Sequence, residues 1–312
     1  MRLLVTGANG FVGRSVCELA GLREMSVRRA VRHAVDEREG YAVGDIHANT
    51  DWRAALAGID CVIHLVGRAH VMRDAAIDPL AAYREVNVAG SVALAGQAAA
   101  YGVRRLVYVS SIKACCEQTF GEACREDSPA RQEDAYGQSK FEAEQALWAV
   151  ARETGMELVV VRPVMVIGPG VKGNLALLAG ALRRGLPLPL AGLKNRRSLV
   201  EVNSLADLLL LCAEHPAAAG QTFLAAADEC VSTTAMVRSL AEGLGCSARL
   251  WPMPLSMLRL AGALTGKREV IRRLTNDLEV DASRATALLG WRHGGGLKDA
   301  LRAVGQSFRR EF

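Results

Sequence analysis

The sequence has 312 residues, half of them hydrophobic and only 5% aromatic, and its formal net charge is +5. This composition is too apolar for a disordered chain, and the length suits one large domain or one domain with a smaller lobe. The 38 Lys and Arg against 33 Asp and Glu, with no dense basic run, do not form the charge pattern of a nucleic-acid-binding protein.

Membrane and metal signals are missing from the sequence. No apolar stretch approaches the ~20 residues of a spanning helix, and the chain opens with a strand pattern rather than a basic, apolar leader. The eight cysteines include no C-x-x-C pair, and Cys115 and Cys116 are adjacent, a spacing that argues against a zinc site and a disulfide framework. We therefore expect a cytoplasmic protein with free thiols, no metal, no membrane insertion and no nucleic-acid partner.

Strand and helix patterns alternate through the first half of the chain. Short β-branched runs predict strands, and the longer stretches with helical periodicity predict helices. In chain order these are the strand Leu3–Val5, the helix Phe11–Leu22, the strands Val27–Val31, Ala42–Ile46 and Cys61–Val66, the helix Pro79–Tyr101, the strand Arg105–Ser110, the helix Tyr136–Thr154 and the strand Glu157–Val161. This order predicts an α/β fold, a Rossmann-type doubly wound parallel sheet with helices on both faces.

The pattern loosens after Pro163, where Gly168-Pro169-Gly170 interrupts it. We expect residues 1–165 to form the sheet domain and residues 166–312 to form mainly a smaller, partly helical lobe, with some segments returning to the sheet. Ligands of open α/β sheets bind at the carboxyl ends of the strands, and we expect the lobe to cover that edge. The pattern of Leu255–Leu264 predicts an amphipathic helix that packs within the lobe.

A glycine-rich turn directly follows the first strand. In Thr6-Gly-Ala-Asn-Gly-Phe-Val-Gly13, Gly7 permits the tight turn, Gly10 lets the backbone approach a pyrophosphate, and Gly13 lets the helix pack closely on the strand. The helix N-terminus adds N–H groups and a partial positive charge. The turn predicts an NAD(P) site in the first domain. Its expected contacts are Gly7, Asn9, Gly10, Phe11, Val12 and Gly13.

The end of the second strand bears on which dinucleotide binds. An acidic residue there would accept hydrogen bonds from the ribose 2′-hydroxyl of NAD. This chain has Arg32 instead, a cation that suits a 2′-phosphate and favours NADP(H) over NAD(H). The alternative is that Arg32 stacks on the adenine and discriminates nothing. Asp45 and Ile46, at the end of the third strand, are expected cofactor contacts, and Asp45 is placed to contact the adenine amino group.

Tyr136 and Lys140 are four residues apart at the start of a helix and therefore share a face. Ser110 and Ser111 close the fifth strand, where a hydroxyl would project over the same crevice. A tyrosine acts as a general acid or base near neutral pH only if its pKa falls, and we expect the Lys140 ammonium to lower it. Ser111, Tyr136 and Lys140 are thus the predicted catalytic set, with Lys140 also holding the nicotinamide ribose and Ser111 the substrate oxygen.

Together these motifs resemble those of extended short-chain dehydrogenases/reductases of the NAD-dependent epimerase/dehydratase family, over essentially the whole chain. Four finer matches resemble a branch found in bacterial O-antigen and capsule gene clusters, whose members are nucleotide-sugar 4-epimerases or 4-ketoreductases. The family motifs are the glycine turn, the Ser/Tyr/Lys set, Asn87 in N-V-A-G, Arg162-Pro163 and Gly168-Pro169. The branch motifs are residues 68–73, 110–113, 168–174 and 195–199.

The resemblance implies further contacts and leaves the sugar open. It implies cofactor contacts at Leu65, Val66, Gly67, Asn87 (through the backbone of its helix) and Pro163, and substrate-diphosphate contacts at Asn174 and Arg197. Three segments depart from the branch pattern: Ala114-Cys-Cys-Glu117 replaces V-N-G-E, Val66-Gly67 replaces Ala-Ala, and Met165 and Ile167 replace Pro or Leu and Tyr. The first and last of these could border the sugar.

The implied activity is hydride transfer at carbon 4 of a UDP-bound hexose. Arg32 favours reduction of a UDP-4-keto-6-deoxy-N-acetylhexosamine, of the UDP-N-acetylquinovosamine type. The alternative is a UDP-glucose or UDP-N-acetylglucosamine 4-epimerase with tightly held NAD. A non-catalytic NADP-binding regulator is a remote alternative, because such proteins lose the Tyr or Lys that this chain keeps. The long helices 79–101 and 136–154 would suit a homodimer interface.

Overall fold

The computed structural model describes residues 1–33, 40–69 and 78–310. Its strands are β1 Arg2–Thr6, β2 Ser26–Val31, β3 Tyr41–Ala42, β4 Cys61–His64, β5 Arg105–Val109, β6 Glu157–Pro163, β7 Met165–Ile167, β8 Leu188–Ala191, β9 Arg197–Glu201, β10 Thr222–Ala225, β11 Cys230–Val231 and β12 Leu250–Pro252. Seven of them form one parallel sheet in the order β10-β6-β5-β4-β1-β2-β3. The predicted doubly wound parallel sheet is confirmed.

Helices cover both faces of this sheet. The α-helices are α1 Phe11–Leu22, α2 Arg53–Leu56, α3 Pro79–Arg84, α4 Ser91–Ala100, α5 Ala135–Thr154, α6 Asn174–Arg183, α7 Val202–Glu214, α8 Thr233–Leu244, α9 Leu255–Leu264, α10 Arg268–Thr275, α11 Ser283–Leu289 and α12 Leu297–Arg310. A π-helical segment, Glu85–Gly90, joins α3 to α4, and a short 3₁₀ turn, Ile112–Ala114, follows β5.

Successive residues of the central strands face opposite helical layers. In β1, Leu3 and Val5 belong to the core that includes α1 and α7, whereas Leu4 belongs to the core that includes α4 and α5. All three side chains are fully buried. A strand buried on both faces needs apolar residues at every position, which is why these strands are continuous apolar runs in the sequence.

Two predicted elements differ from the structure. The predicted third strand, Ala42–Ile46, is only Tyr41–Ala42, because Gly44 turns the chain with φ +69° and places Asp45 and Ile46 beyond the strand. The predicted single helix 79–101 is helical from Pro79 to Ala100 but contains the π turn, at which Asn87 becomes fully buried. Extra residues in a π turn change which side chain faces inward, so an α-helical period cannot locate that change.

The second half of the chain builds the lobe and also adds to the large sheet. β7, β9 and β11 form a three-stranded sheet, and β8 pairs with β12. α8 packs on α12 beside them, whereas α7 packs on α1 and β10 extends the large sheet beside β6. Some residues after 165 therefore do return to the first sheet. The division into domains at residue 165 stays a prediction.

The helix predicted at Leu255–Leu264 is α9, and fewer of its apolar residues are buried than expected. Leu258 and Gly262 are buried in the lobe, whereas Met257, Leu260 and Leu264 are exposed. Across the described ranges, none of the helices has both the length and the apolar character needed to cross a membrane.

Candidate active site

The glycine turn lies at the carboxyl end of β1 and is fixed by close backbone contacts. Gly7 has φ +68°, and its N–H donates to the Ala30 carbonyl of β2 at 3.1 Å. A Cβ at Gly13 would overlap the Gly7 carbonyl oxygen and Ala8 Cα, so only glycine lets α1 begin this close to the turn. Gly10 precedes α1 and has no side chain to cap it, which leaves the first N–H groups of the helix for an anion.

The other predicted contacts of the turn lie around the same helix start. Asn9 and Gly10 are exposed, and Phe11 and Val12 are partly buried. The Phe11 ring reaches the lobe beside Gly168, where a Cβ would be 3.4 Å from it. This arrangement fits a dinucleotide, because the close glycines and uncapped helix end are what a pyrophosphate requires.

Arg32 and Asp45 lie together at the edge beyond β2. Arg32 Nε is 2.9 Å from Asp45 Oδ1, and the two side chains are 69% and 75% exposed. Ile46 is buried against Gly90. An ion pair this exposed contributes little stability, so either charge can turn to a ligand at low cost.

The segment after β4 is held by Thr6 and Asn87. Thr6 Oγ1 accepts hydrogen bonds from the N–H groups of Leu65 at 3.1 Å and Val66 at 3.4 Å. The Asn87 amide accepts from Arg68 N–H at 2.8 Å and donates to Arg68 O at 3.1 Å. Leu65, Val66 and Gly67 are partly buried. The Asn87 side chain therefore fixes the backbone next to Leu65–Gly67, the predicted cofactor wall. The resemblance had implied instead that Asn87 supports the cofactor through the backbone of its helix.

Ser110 and Ser111 point in opposite directions, as successive residues at a strand end do. Ser110 donates to the buried carboxylate of Glu144. Ser111 hydrogen-bonds with Tyr136, and its Oγ accepts from Lys113 N–H at 3.2 Å as the cap of the 3₁₀ turn. The structure thus brings together two members of the predicted catalytic set at the carboxyl edge of the sheet.

Lys140 is one helical turn beyond Tyr136 and is buried. Its Nζ donates to Tyr108 Oη at 3.1 Å and to the Val109 carbonyl at 2.9 Å. A Cβ at Gly67 would lie 3.1 Å from Nζ, so the glycine leaves room for the ammonium beside the predicted cofactor wall. Burial lowers the pKa of Lys140 to about 8.

The expected effect of Lys140 on Tyr136 is not what the structure shows. Burial raises the pKa of Tyr136 to about 12, and the hydrogen bond from Ser111 only partly offsets this. The Lys140 ammonium is directed at Tyr108 and Val109 instead of the Tyr136 hydroxyl. The prediction that Lys140 lowers this pKa is therefore wrong in this structure. Tyr136 keeps its proton and can donate it as a general acid, but it must lose that proton before it can act as a general base.

A buried polar chain continues from Lys140 beneath the crevice. Tyr108 hydrogen-bonds with Ser91, and Ser91 Oγ lies 3.0 Å from His64 Nε2. His64 Nδ1 lies 2.7 Å from Thr6 Oγ1. Burial lowers the pKa of His64 to about 3, so the imidazole is neutral at physiological pH. Sequence analysis missed these residues because each lies within an apolar strand or an Ala-rich helix, where a lone polar residue is usually structural.

A second buried network fixes α5 against the sheet. Glu144 Oε2 is 2.6 Å from Arg162 Nη2, and both side chains are at most 10% exposed. Arg162 precedes Pro163, which is buried at the end of β6 beside Ala225. Glu144 lies four residues after Lys140, so its helical spacing was a signal that could have placed it on the inward face.

The two predicted diphosphate contacts lie in different environments. Asn174 is exposed at the start of α6. Arg197 is partly buried on β9, where its Nη1 donates to Asn276 O at 3.4 Å. Burial and the neighbouring cation Arg273 lower the pKa of Arg197. Arg273, which was not among the predicted residues, interacts electrostatically with Arg197 and also pairs with Asp134 at 3.6 Å.

The pH dependence of kcat/KM should follow the ionisation of the Lys140 ammonium. A pKa of about 8 means that the ammonium is charged below that pH and neutral above it. We expect kcat/KM to fall above about pH 8, well before Tyr136 loses its proton. Lys140→Arg, whose guanidinium stays charged, should lower activity and remove this alkaline limb. If kcat/KM of Lys140→Arg falls at the same alkaline pH as that of the wild type, the loss of activity does not arise from Lys140.

Comparisons with known proteins identify the family of this chain. Residues 3–226 match the model of the NAD dependent epimerase/dehydratase family. The chain is 42% identical over 311 residues to a UDP-glucose 4-epimerase of Vibrio cholerae, which covers 98% of this chain and 95% of the relative. It is 23% identical to the N-acetyl-α-D-glucosaminyl-diphospho-ditrans,octacis-undecaprenol 4-epimerase of Escherichia coli O157:H7, over 86% of this chain and 82% of the relative.

Solved structures share the fold over the whole chain. The UDP-glucose 4-epimerase of Thermotoga maritima with UDP-glucose superposes with a TM-score of 0.79 at 21% identity, covering 100% of this chain and 99% of that one. The Thermus thermophilus UDP-glucose 4-epimerase complex with NAD gives 0.77 at 22% identity, with 99% of each chain covered.

The fold and site define a dinucleotide-binding enzyme of the extended short-chain dehydrogenase/reductase class. The chain belongs to the NAD dependent epimerase/dehydratase family. The family and enzyme class expected from the motifs are confirmed.

Proposed function

We propose that this protein transfers hydride at carbon 4 of a UDP-bound hexose and acts as a 4-epimerase. The observation that carries the proposal is the Ser111–Tyr136 hydrogen bond beside Lys140 at the carboxyl edge of the sheet. It is supported by the full-length similarity to a UDP-glucose 4-epimerase. UDP-glucose and UDP-N-acetylglucosamine are the proposed substrates.

Each catalytic side chain has one task in this proposal. The cofactor supplies hydride chemistry at its nicotinamide ring when bound. Tyr136, as the phenolate, would accept the proton of the substrate O4 and return it later in the same turnover. Ser111 donates a hydrogen bond that positions that oxygen. Lys140 keeps a positive charge beside the wall formed by Leu65–Gly67 and would hold the nicotinamide ribose.

The substrate diphosphate would bind on the lobe side. Arg197 provides a partly buried cation that interacts electrostatically with Arg273, and Asn174 provides an exposed amide at the start of α6. Bidentate arginine contacts suit phosphate oxygens. The binding energy of the nucleotide would orient the hexose over Ser111 and Tyr136.

A second candidate is a 4-ketoreductase that acts on a UDP-4-keto-6-deoxy-N-acetylhexosamine with NADPH. Arg32 favours it, because a cation beyond β2 suits the 2′-phosphate of NADP(H). A reductase exchanges its cofactor at each turnover, whereas an epimerase retains it. A non-catalytic regulator is less favoured, because Ser111, Tyr136 and Lys140 are all present. A cytoplasmic location and a homodimer through α3, α4 and α5 stay predictions.

Two assays on the purified protein test both candidates. UDP-glucose and UDP-N-acetylglucosamine are supplied without added cofactor, and epimers are sought by chromatography. UDP-4-keto-6-deoxy-N-acetylglucosamine is supplied with NADPH or NADH, and the loss of reduced-nicotinamide absorbance is followed. Epimers would support the 4-epimerase, and stoichiometric oxidation of the reduced cofactor would support the reductase. If neither product forms, the proposed hydride transfer at carbon 4 of these sugars is contradicted.

Arg32→Asp should reverse the cofactor preference. The variant places a carboxylate beyond β2, which repels a 2′-phosphate and accepts from a 2′-hydroxyl. We expect the ratio of NADPH to NADH affinities to fall at least tenfold, measured by fluorescence titration. Arg53→Asp is the matched control, since Arg53 is another exposed arginine paired with a neighbouring aspartate, Asp51. An unchanged ratio would remove the argument for NADP(H) and with it the support for the reductase.

Arg197→Ala should weaken substrate binding. Loss of one guanidinium from the proposed diphosphate site should raise KM for the nucleotide sugar roughly tenfold or more, because charge-assisted contacts of this kind contribute about 1.5–3 kcal/mol. Arg196→Ala is the control, since Arg196 is exposed and pairs with Glu279 at 2.7 Å. Equal KM values for the two variants would place the diphosphate elsewhere.

A further inference from the structure

Three cysteines of one segment meet just beyond the candidate active site. The Sγ atoms of Cys115, Cys116 and Cys124 all lie within 4.8 Å of one another. Cys115 and Cys124 are buried, their sulfurs are 3.3 Å apart, and Cys116 is partly exposed. The spacing of these residues in the sequence had argued against a metal site, and the fold removes that argument.

We propose that Cys115, Cys116 and Cys124 form a trithiolate site for a soft, thiophilic metal ion, of the class that includes Zn²⁺, Cd²⁺ and Cu⁺. Metal–sulfur bonds of about 2.3 Å place three sulfurs about 4 Å apart around one ion, which is within the span of this cluster. Soft thiolate ligands select such ions over Mg²⁺ or Ca²⁺. The partial exposure of Cys116 gives the ion a path of entry.

The surroundings of the cluster offer the sulfurs few competing partners. The nearby Arg162 guanidinium is already paired with Glu144 at 2.6 Å. Among the described residues, the thiols otherwise have only weak partners, such as the Arg125 carbonyl at 3.8 Å from both the Cys115 and Cys124 sulfurs. Replacing these long contacts by metal–sulfur bonds would therefore disrupt no strong hydrogen bond.

The position of the cluster connects it to the crevice. Cys115 follows the 3₁₀ turn that Ser111 caps. The segment from Cys115 to Cys124 is hydrogen-bonded to the lobe, with Thr119 N–H on Asp277 O at 2.9 Å and Cys124 N–H on Glu279 O at 2.8 Å. A bound ion would link Cys115 and Cys124, the two ends of this segment, and would make the connection between the sheet and the lobe more rigid.

Cadmium uptake by the full-length protein tests the proposal. The protein is reduced, freed of metal and reductant under anaerobic conditions, and titrated with Cd²⁺. We expect one tightly bound ion per chain by elemental analysis, thiolate-to-cadmium charge-transfer absorbance, and a higher melting temperature in its presence. Cys115→Ser, Cys116→Ser and Cys124→Ser should each weaken uptake at least tenfold.

The controls separate this site from other thiols and from misfolding. Cys246→Ser should keep full uptake, because Cys246 is a partly exposed cysteine outside the cluster. Cys116→Ser carries the most weight if the buried variants unfold, and circular dichroism without metal verifies its fold. No uptake by the reduced wild-type protein, or equal uptake by Cys116→Ser and Cys246→Ser, would overturn the proposal.

Discussion

Tyr136→Phe should lower turnover by about 10²–10⁴-fold, the range that positioned general acid–base groups contribute. The variant removes only the hydroxyl that Ser111 contacts, so the substrate O4 loses the group that accepts and returns its proton. The aromatic ring, which lies 5.9 Å from the Tyr83 ring between centroids, keeps its packing. Steady-state kinetics should therefore show the loss in kcat, while cofactor affinity by fluorescence titration stays near that of the wild type.

The matched control is Tyr101→Phe. Tyr101 is exposed at the end of α4, remote in sequence from the catalytic set, and its hydroxyl has no proposed role in the reaction. Its variant should have wild-type kcat. Activity retained within a few-fold by Tyr136→Phe would exclude Tyr136 as the proton donor and with it the proposed mechanism.

Glu144→Gln should cost about 3–5 kcal/mol in the free energy of unfolding, because it leaves the Arg162 guanidinium buried without its carboxylate. The wild-type pair has three Arg162 nitrogen-to-Glu144 oxygen contacts, at 2.6, 3.0 and 3.2 Å, and Ser110 donates to the same carboxylate. Denaturant unfolding followed by circular dichroism measures the loss. The variant should also loosen the packing of α5, the helix that carries Lys140.

Glu142→Gln is the control on the same helix. Glu142 pairs with Arg84 at 2.6 Å, but 48% of the Arg84 side chain is exposed, so water and salt screen the pair. We expect no resolved change in unfolding midpoint. Equal destabilisation by the two variants would show that burial does not determine how much the Glu144–Arg162 pair contributes to the free energy of unfolding.

Local sequence signals predicted the sheet and the turn well. The glycines at positions 7, 10 and 13 act through the backbone of neighbouring residues, so their roles follow from spacing alone. Strand positions followed from continuous apolar runs that are buried on both faces. Ser111, which the sequence assigned to the substrate oxygen, hydrogen-bonds with Tyr136, whereas Ser110 contacts Glu144, since strand alternation separates the two hydroxyls.

Long-range contacts explain what the sequence did not predict. The pKa of Tyr136 depends on burial and on Ser111, whereas the Lys140 ammonium donates to Tyr108 on β5. The buried partners His64 and Ser91 are 27 residues apart and meet only because β4 and α4 are adjacent in space. No periodicity in either segment encodes that contact.

The sequence by itself determined the family, the parallel sheet, the dinucleotide turn and the identity of the candidate catalytic residues. These depend on short spacings, which fix local backbone geometry and helix faces. The tertiary structure decided where the charges point: Lys140 toward Tyr108, Arg32 toward Asp45, and Arg197 toward the Asn276 carbonyl. It also brought the Cys124 sulfur to within 3.3 Å of the Cys115 sulfur. None of these contacts follows from helix or strand periodicity, so only the packed fold sets their distances and burial.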